Sequence, residues 1–506
     1  MSNLDKINQA PKRSNSVIQR IGALIQRIRP LIQRIDALIQ RIGAFGNKIF
    51  LHPAFLAVIF AFACAITIFE WEYIGAVIFV LIISAALFLC EDIFAAALPF
   101  LLLCVFVTRC YDSYNVFIKY VWVAIPAVAS IIYHFIAYRK KISLGTSVPG
   151  IIAVSVALIL GGIGFIPAAD YFRPGTLYYT LCLGIGMLVA YVLLKPQICA
   201  PRKYDVREKF LMMMYLMGLM AAVVVFAYVA KSFAGVIEAH SFNLFKDLDD
   251  IIEANDFNDL QAGNNLSTFL MFAMPCPFYF AAKKRLKVLH LLAALVLVFA
   301  VVLSGSRGGF IMGLIEFVIC LVAFAIIDKK LRWVYIVFCL LLLGAGFFYG
   351  EKLYETISST TTQDIFNKNE PRVAMLFNLL DIFKEHKIYI FGHGIGFTGN
   401  TDYYSPVTGA MHWYHMIIPQ VVGSMGIVGV LAYLYQFFLR CFTIVIGFVR
   451  SDKFMTCALG LSYLGVLMMS MLNPGLFCPI PYALLAVLIF ALIDGDTVFG
   501  AFKKQI

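Results

Sequence analysis

The chain has 506 residues, of which 62% are hydrophobic and 14% charged, with a mean hydropathy of +0.88, whereas soluble domains are about 45–50% apolar and about 25% charged. That balance excludes a soluble globular enzyme, a secreted disulfide scaffold and a single-span receptor. It predicts an all-α, polytopic integral membrane protein, and the +11 surplus of 40 Lys and Arg over 29 Asp and Glu then means nucleic acid or membrane orientation according to where the charges fall.

Residues 1–50 form a basic N-terminal segment with no apolar run before about residue 53, so no cleavable signal peptide is expected. Within it, residues 17–44 repeat a heptad: Val17–Ala23, Leu24–Pro30, Leu31–Ala37 and Leu38–Ala44, each containing Ile-Gln-Arg-Ile. At about 100° per residue, the first, second and fifth positions share a narrow apolar stripe with an arginine beside it. This suits a helix lying on the anionic inner leaflet, its arginines reaching headgroups. The other reading is a self-associating coiled coil, whose seam Gly22, Pro30 and Gly43 interrupt.

Residues 51–349 contain apolar runs at 53–69, 73–90, 92–108, 115–138, 148–168, 176–194, 210–229, 266–282, 286–303, 308–327 and 332–349. Residues 416–506 add 416–439, 454–472 and 479–493, followed by a short tail. The prediction is therefore about fourteen transmembrane helices, and an even number puts both termini on one side. Arg139–Lys141, Lys195–Lys209, Lys283–Lys287, Lys329–Arg332, Arg440–Lys453 and Lys503–Lys504 all fall on the side of the N-terminus, which then holds 29 of the 40 basic residues. By the positive-inside rule that side is cytoplasmic. The charge surplus thus reports orientation, and no nucleic-acid partner is expected. Acids such as Asp247, Asp250 and Asp256 gather in an external loop at 231–265, and Glu316 stands out as an ionisable group within a span. Cys64, Cys90, Cys104, Cys182 and Cys320 lie in apolar runs and read as small core hydrophobes, with no metal or redox motif.

Residues 350–415 form a large external loop. Asn369-Glu370-Pro371-Arg372 reads as a helix start, and Val373, Leu376, Phe377, Leu380 and Phe383 recur at helical spacing, predicting an amphipathic helix on the outer surface that ends near His386. Phe391-Gly392-His393-Gly394-Ile395-Gly396 reads as a tight turn whose glycines supply backbone freedom.

Polar groups that could do chemistry cluster at this outer boundary. Arg307, in Ser304-Gly305-Ser306-Arg307-Gly308-Gly309, could hold phosphate oxygens through two parallel hydrogen bonds; the other reading is an arginine that anchors a turn. Arg372 is either a second phosphate clamp or a charged face of the surface helix. Four of the eight histidines lie in the large loop: His386, His393, His412 and His415. A neutral imidazole there can take a proton from an attacking hydroxyl.

The order Ser-Gly-Ser-Arg-Gly-Gly, a long external loop with Asn-Glu-Pro-Arg, then His415 followed by Gly426 and Gly429, resembles the O-antigen ligase/polymerase superfamily. That family carries a His-x10-Gly-x2-Gly spacing at the span after its large periplasmic loop, and Gln420 and Gly423–Gly429 fit the same register. The resemblance covers roughly residues 300–435. Met416 and Ser424 depart from the family pattern, where a small polar residue and an acid are usual, so His412 could share the role given to His415.

The resemblance implies a metal-independent glycosyltransferase of the bacterial cytoplasmic membrane with no cofactor. Its partners would be a glycan on a polyprenyl diphosphate as donor and a lipid or glycan acceptor. Arg307 and Arg372 would neutralise the departing diphosphate, and His415 would deprotonate the acceptor hydroxyl. No carboxylate stands out as a covalent nucleophile, so displacement would invert the anomeric centre, and no Gly-Lys-Ser/Thr loop points to ATP. Ligase and polymerase share this machinery. The rival of another class is a flippase for the same lipid-linked glycan, but no related halves are evident and Glu316 is a lone midplane candidate.

Overall fold

The computed structural model describes residues 30, 33–34, 37–108, 119–162, 174–239, 262–341, 344, 377, 379–381, 383–384, 389–395, 416–472 and 480–497. Among them every regular element is helical. In chain order, the helices after the N-terminal helix are α1 Pro53–Ile68, α2 Glu72–Leu89, α3 Ala97–Val107, α4 Ala124–Ala137 and α5 Val148–Ala157. They continue with α6 Leu177–Ile198, α7 Val206–Ala239, α8 Ala262–Ala273, α9 Pro275–Lys283, α10 Lys287–Leu303, α11 Arg307–Ile327 and α12 Arg332–Leu341. The last three are α13 Ile417–Arg450, α14 Lys453–Ser470 and α15 Ile480–Thr497.

Each apolar run overlaps helix. Among the described residues six helices are long and apolar enough to cross a membrane, and several shorter apolar helices accompany them. The surface has the polarity expected of a chain dissolved in lipid. On α4, Ile125, Val128, Ile132 and Ile136 face outward, while Ser130 and His134 are buried, with the His134 ring at 3.1 Å from the Leu87 carbonyl. Polar groups point inward because hydrocarbon offers them no partner.

Three features depart from the predicted runs. The run at 266–282 is two helices, because Pro275 and Pro277 close together favour a new helix start; its first half begins at Ala262, which moves Asn264 and Asn265 from the external loop into a helix. The run at 176–194 and the one at 148–168 each contain a five-residue π-helical turn, at Cys182–Gly186 and Leu158–Gly162. The span at 416–439 continues to Arg450, so Arg440 lies inside a helix and not at its end.

Ion pairs gather the predicted basic loops at one end of the bundle. Lys140 meets Glu91 at 2.8 Å, Arg202 meets Asp92 at 2.8 Å, Lys284 meets Glu208 at 2.5 Å and Lys283 meets Asp452 at 2.8 Å. The Asp92–Arg202 pair is buried and is completed by the Tyr204 hydroxyl and the Phe94 amide. The helix Ala37–Phe50 ends at the same face, where the Asn47 side chain accepts from the Asp92 amide. It is bent 60° from α1. Leu38, Ile42, Phe45 and Ile49 form an outward apolar stripe, while Gly43 and Gly46 pack on Tyr138 and the Leu89 carbonyl. Residues 17–29, 31–32 and 35–36 of the heptads lie outside the described residues.

Candidate functional site

At the opposite end of α10 and α11 from the Lys283–Asp452 pair lies the Ser304–Gly309 turn. Ser304 ends α10, its hydroxyl donating to the Val301 carbonyl at 2.7 Å, and Gly305 takes φ +70°, a left-handed conformation that glycine adopts without strain. Ser306 then caps α11. Its Oγ accepts from the Gly309 amide at 2.9 Å and donates to Asn264 Oδ1 at 2.6 Å. Ser267 reaches the Ser304 hydroxyl at 2.6 Å, and Tyr482 donates to the Asn265 carbonyl at 2.8 Å. Arg307 is thereby fixed as the first residue of a 21-residue helix, where backbone N–H groups and the helix dipole favour an anion. The described residues give its backbone; its side chain lies outside them.

The second part of the site is a break in α13. Gly426 sits at φ +60°, ψ −151°, inside a 34-residue helix and nearer its N-terminal end. A break in a membrane helix leaves carbonyls and amides orphaned unless something bonds them. Segment Tyr389–Ile395 does so on both sides. The amides of His393 and Gly394 donate to the carbonyls of Gly423 and Ser424 at 2.9 and 3.0 Å, and the amides of Ile427 and Val428 donate to the carbonyls of Tyr389 and Ile390 at 2.9 and 3.1 Å. On its other flank the Ile395 amide donates to the Gly162 carbonyl at 2.9 Å, within the π-turn after α5.

The glycines of this segment therefore do more than loosen a turn. A Cβ on Gly392, at φ +71°, would stand 2.5 Å from the Gly423 carbonyl oxygen, and one on Gly161 would stand 2.0 Å from that of Phe391. Close backbone approach on both flanks requires them. His393 is carried into the bundle by this packing and is fully buried.

The surface helix is present in part: residues 377, 379–381 and 383–384 are helical. Leu379 is buried with Phe383 and Val422 against it, while Phe377 and Leu380 remain exposed. The predicted apolar face is thus split, one edge on α13 and the other turned outward. Arg372, His386, His412 and His415 lie outside the described residues, as do the acids of the 231–265 loop. The described chain resumes at Met416, the cap of α13, so His415 immediately precedes that helix.

Among these residues, the sequence reading missed Asn264, Ser267 and Tyr482, which hold the Ser306–Arg307 turn; His393 was named among the loop histidines, but not its burial in the bundle. Asn264-Asn265 opens an apolar run, and a polar pair in that position reads as loop. Nothing local marked Tyr482. Comparison with curated proteins and with solved structures finds no match. Residues 292–434, which contain both the Ser-Gly-Ser-Arg turn and the break in α13, match the family model described as O-Antigen ligase, so over that stretch the chain is similar to the O-antigen ligase family.

Proposed function

We propose that the protein is a membrane glycosyltransferase of ligase type, moving a glycan from a polyprenyl diphosphate to an acceptor hydroxyl at the outer face of a bacterial cytoplasmic membrane, in cell-surface polysaccharide assembly. The observation that carries this reading is the family match over residues 292–434, which spans Arg307, Arg372, His412 and His415 together with the capped turn and the broken helix. Arg307 and Arg372 bind the diphosphate and stabilise it as it leaves; His415, with His412 as the alternative, removes the acceptor proton. The fixed N-terminus of α11 supports the clamp, since preorganised donors need not reorient as charge develops. Transfer proceeds without a metal and inverts the anomeric centre. The basic loops face the cytoplasm.

The test is reconstitution of the purified protein with a polyprenyl-diphosphate glycan, offering lipid acceptors and carrier-linked acceptors separately and following product size. Turnover with the lipid acceptor identifies a ligase; chain growth on the carrier identifies a polymerase. His415→Ala is expected to lower kcat by about 10²–10⁴, the usual range for a general base. Full activity in both His415→Ala and His412→Ala removes the base assignment, and full activity of the Arg307→Ala/Arg372→Ala double variant removes the clamp. Movement of donor across vesicles with no new glycosidic bond replaces the enzyme by a flippase.

A further inference from the structure

Arg440 is a buried cation that the proposed reaction does not use. It is only 8% exposed. One of its terminal nitrogens donates to the Tyr463 hydroxyl at 3.0 Å, and its guanidinium carbon lies 5.1 Å from the Tyr463 ring centroid and 4.9 Å from that of Phe490. These contacts tie α13 to α14 and α15. They are all neutral. Among the described residues no carboxylate comes within 4.0 Å of Arg440. Asp494, a buried acid of α15, is bonded by Thr146, Tyr191 and the Ser147 amide and stands beside Lys195.

A buried charge is costly unless it is paired, and ring quadrupoles and a hydroxyl orient a cation without cancelling its charge. The guanidinium has five N–H donors in one plane, of which Tyr463 takes one. Beside it is a cavity of about 30 Å³ in which Arg440 and Gln436 are joined by Tyr433 and by apolar side chains, among them Ile151, Met187 and Val487. About 10–15 Å³ of such space holds one water, so this cavity has room for an ion of one or a few atoms.

We propose that the cavity beside Arg440 binds a small inorganic anion of about the size of chloride. The guanidinium supplies the charge, and the Gln436 amide can turn a donor toward the ion. Arg440 lies fourteen residues along α13 from Gly426, about 21 Å of helix. Its occupant is therefore not the donor's diphosphate. The anion neutralises Arg440 where three helices meet and holds the inner half of the broken span in place.

The experiment uses the full chain in detergent, exchanged into gluconate, an anion too large for the cavity, and titrated with chloride and with bromide at constant ionic strength. The unfolding midpoint is expected to rise and saturate with either halide, and ³⁵Cl NMR is expected to show line broadening that bromide competes away. Arg440→Gln and Arg440→Met should abolish both effects. Gln436→Met keeps the charge and should weaken binding without abolishing it, which gives a reading if the arginine variants fail to fold. A midpoint insensitive to halide, a halide response unchanged in Arg440→Met, or a midpoint restored by phosphatidylglycerol and not by chloride would each overturn the proposal.

Discussion

Gly426→Ala is the sharpest perturbation of the broken helix. At φ +60°, ψ −151° the backbone occupies a region that is essentially glycine-only, and a side chain there costs about 1–3 kcal/mol. The new Cβ would also stand 2.5 Å from both the Tyr389 and Ile390 carbonyl oxygens, which are backbone atoms and cannot swing aside. Those carbonyls accept from the amides of Ile427 and Val428, two hydrogen bonds of about 0.5–1.5 kcal/mol net each. The whole cost is about 2–6 kcal/mol, so amide exchange at Ile427 and Val428 should accelerate by about 10-fold to 10⁴-fold, at about 1.4 kcal/mol per decade. Hydrogen–deuterium exchange with mass spectrometry on the solubilised protein measures this directly. Gly344→Ala, with nothing within 4 Å of the added carbon, is the control and should change neither exchange nor melting. Unaltered protection of Ile427 and Val428 in Gly426→Ala would refute the account of the break.

Two further outcomes follow from the other end of the bundle. Burial pulls the Asp92 carboxyl upward, but the Arg202 guanidinium, with the Tyr204 hydroxyl and the Phe94 amide, outweighs it and holds Asp92 below the usual carboxylate range. Because the folded value lies below the unfolded one, its stabilisation is complete above about pH 4 and is lost as pH falls through the folded value. Asp92→Asn should cost about 3–5 kcal/mol at neutral pH, as loss of one partner of a buried pair does, and should flatten the acid limb of a melting-temperature profile; an unchanged acid limb contradicts the pairing. At the N-terminal helix, a Phe45→Cys variant carrying an environment-sensitive fluorophore should emit as in an apolar medium in bilayers and Gln40→Cys as in water. Excimer formation between labels at position 45 would favour a coiled coil instead.

Much of the fold could be read along the chain because lipid imposes a local rule: twenty apolar residues bounded by charge make a helix wherever they stand. That rule failed at Arg440. A charge in sequence looks like a boundary, and its neutral partners Tyr463 and Phe490 are supplied by two other helices. It also failed at Gly392 and Gly394, whose need arises from carbonyls of residues 423–424, about thirty positions away. The Ser304–Arg307 turn was visible as a motif, since capping is local, but its support from Asn264 and Ser267 was hidden because a polar pair at the edge of an apolar run reads as loop.

The segment 389–395 also sets the grain along which this protein can be recombined. It exchanges five main-chain hydrogen bonds with the chain around it, one at Gly162 and four at 423–428, and main-chain bonds of this kind are indifferent to side-chain identity but not to spacing. A chimera that imports a foreign external loop should therefore be joined before Tyr389. Residues 389–428 pass as a block matched to 158–162, and an imported loop upstream of that join must still supply a counterpart of Arg372 and an apolar side chain to cover Val422, as Leu379 does.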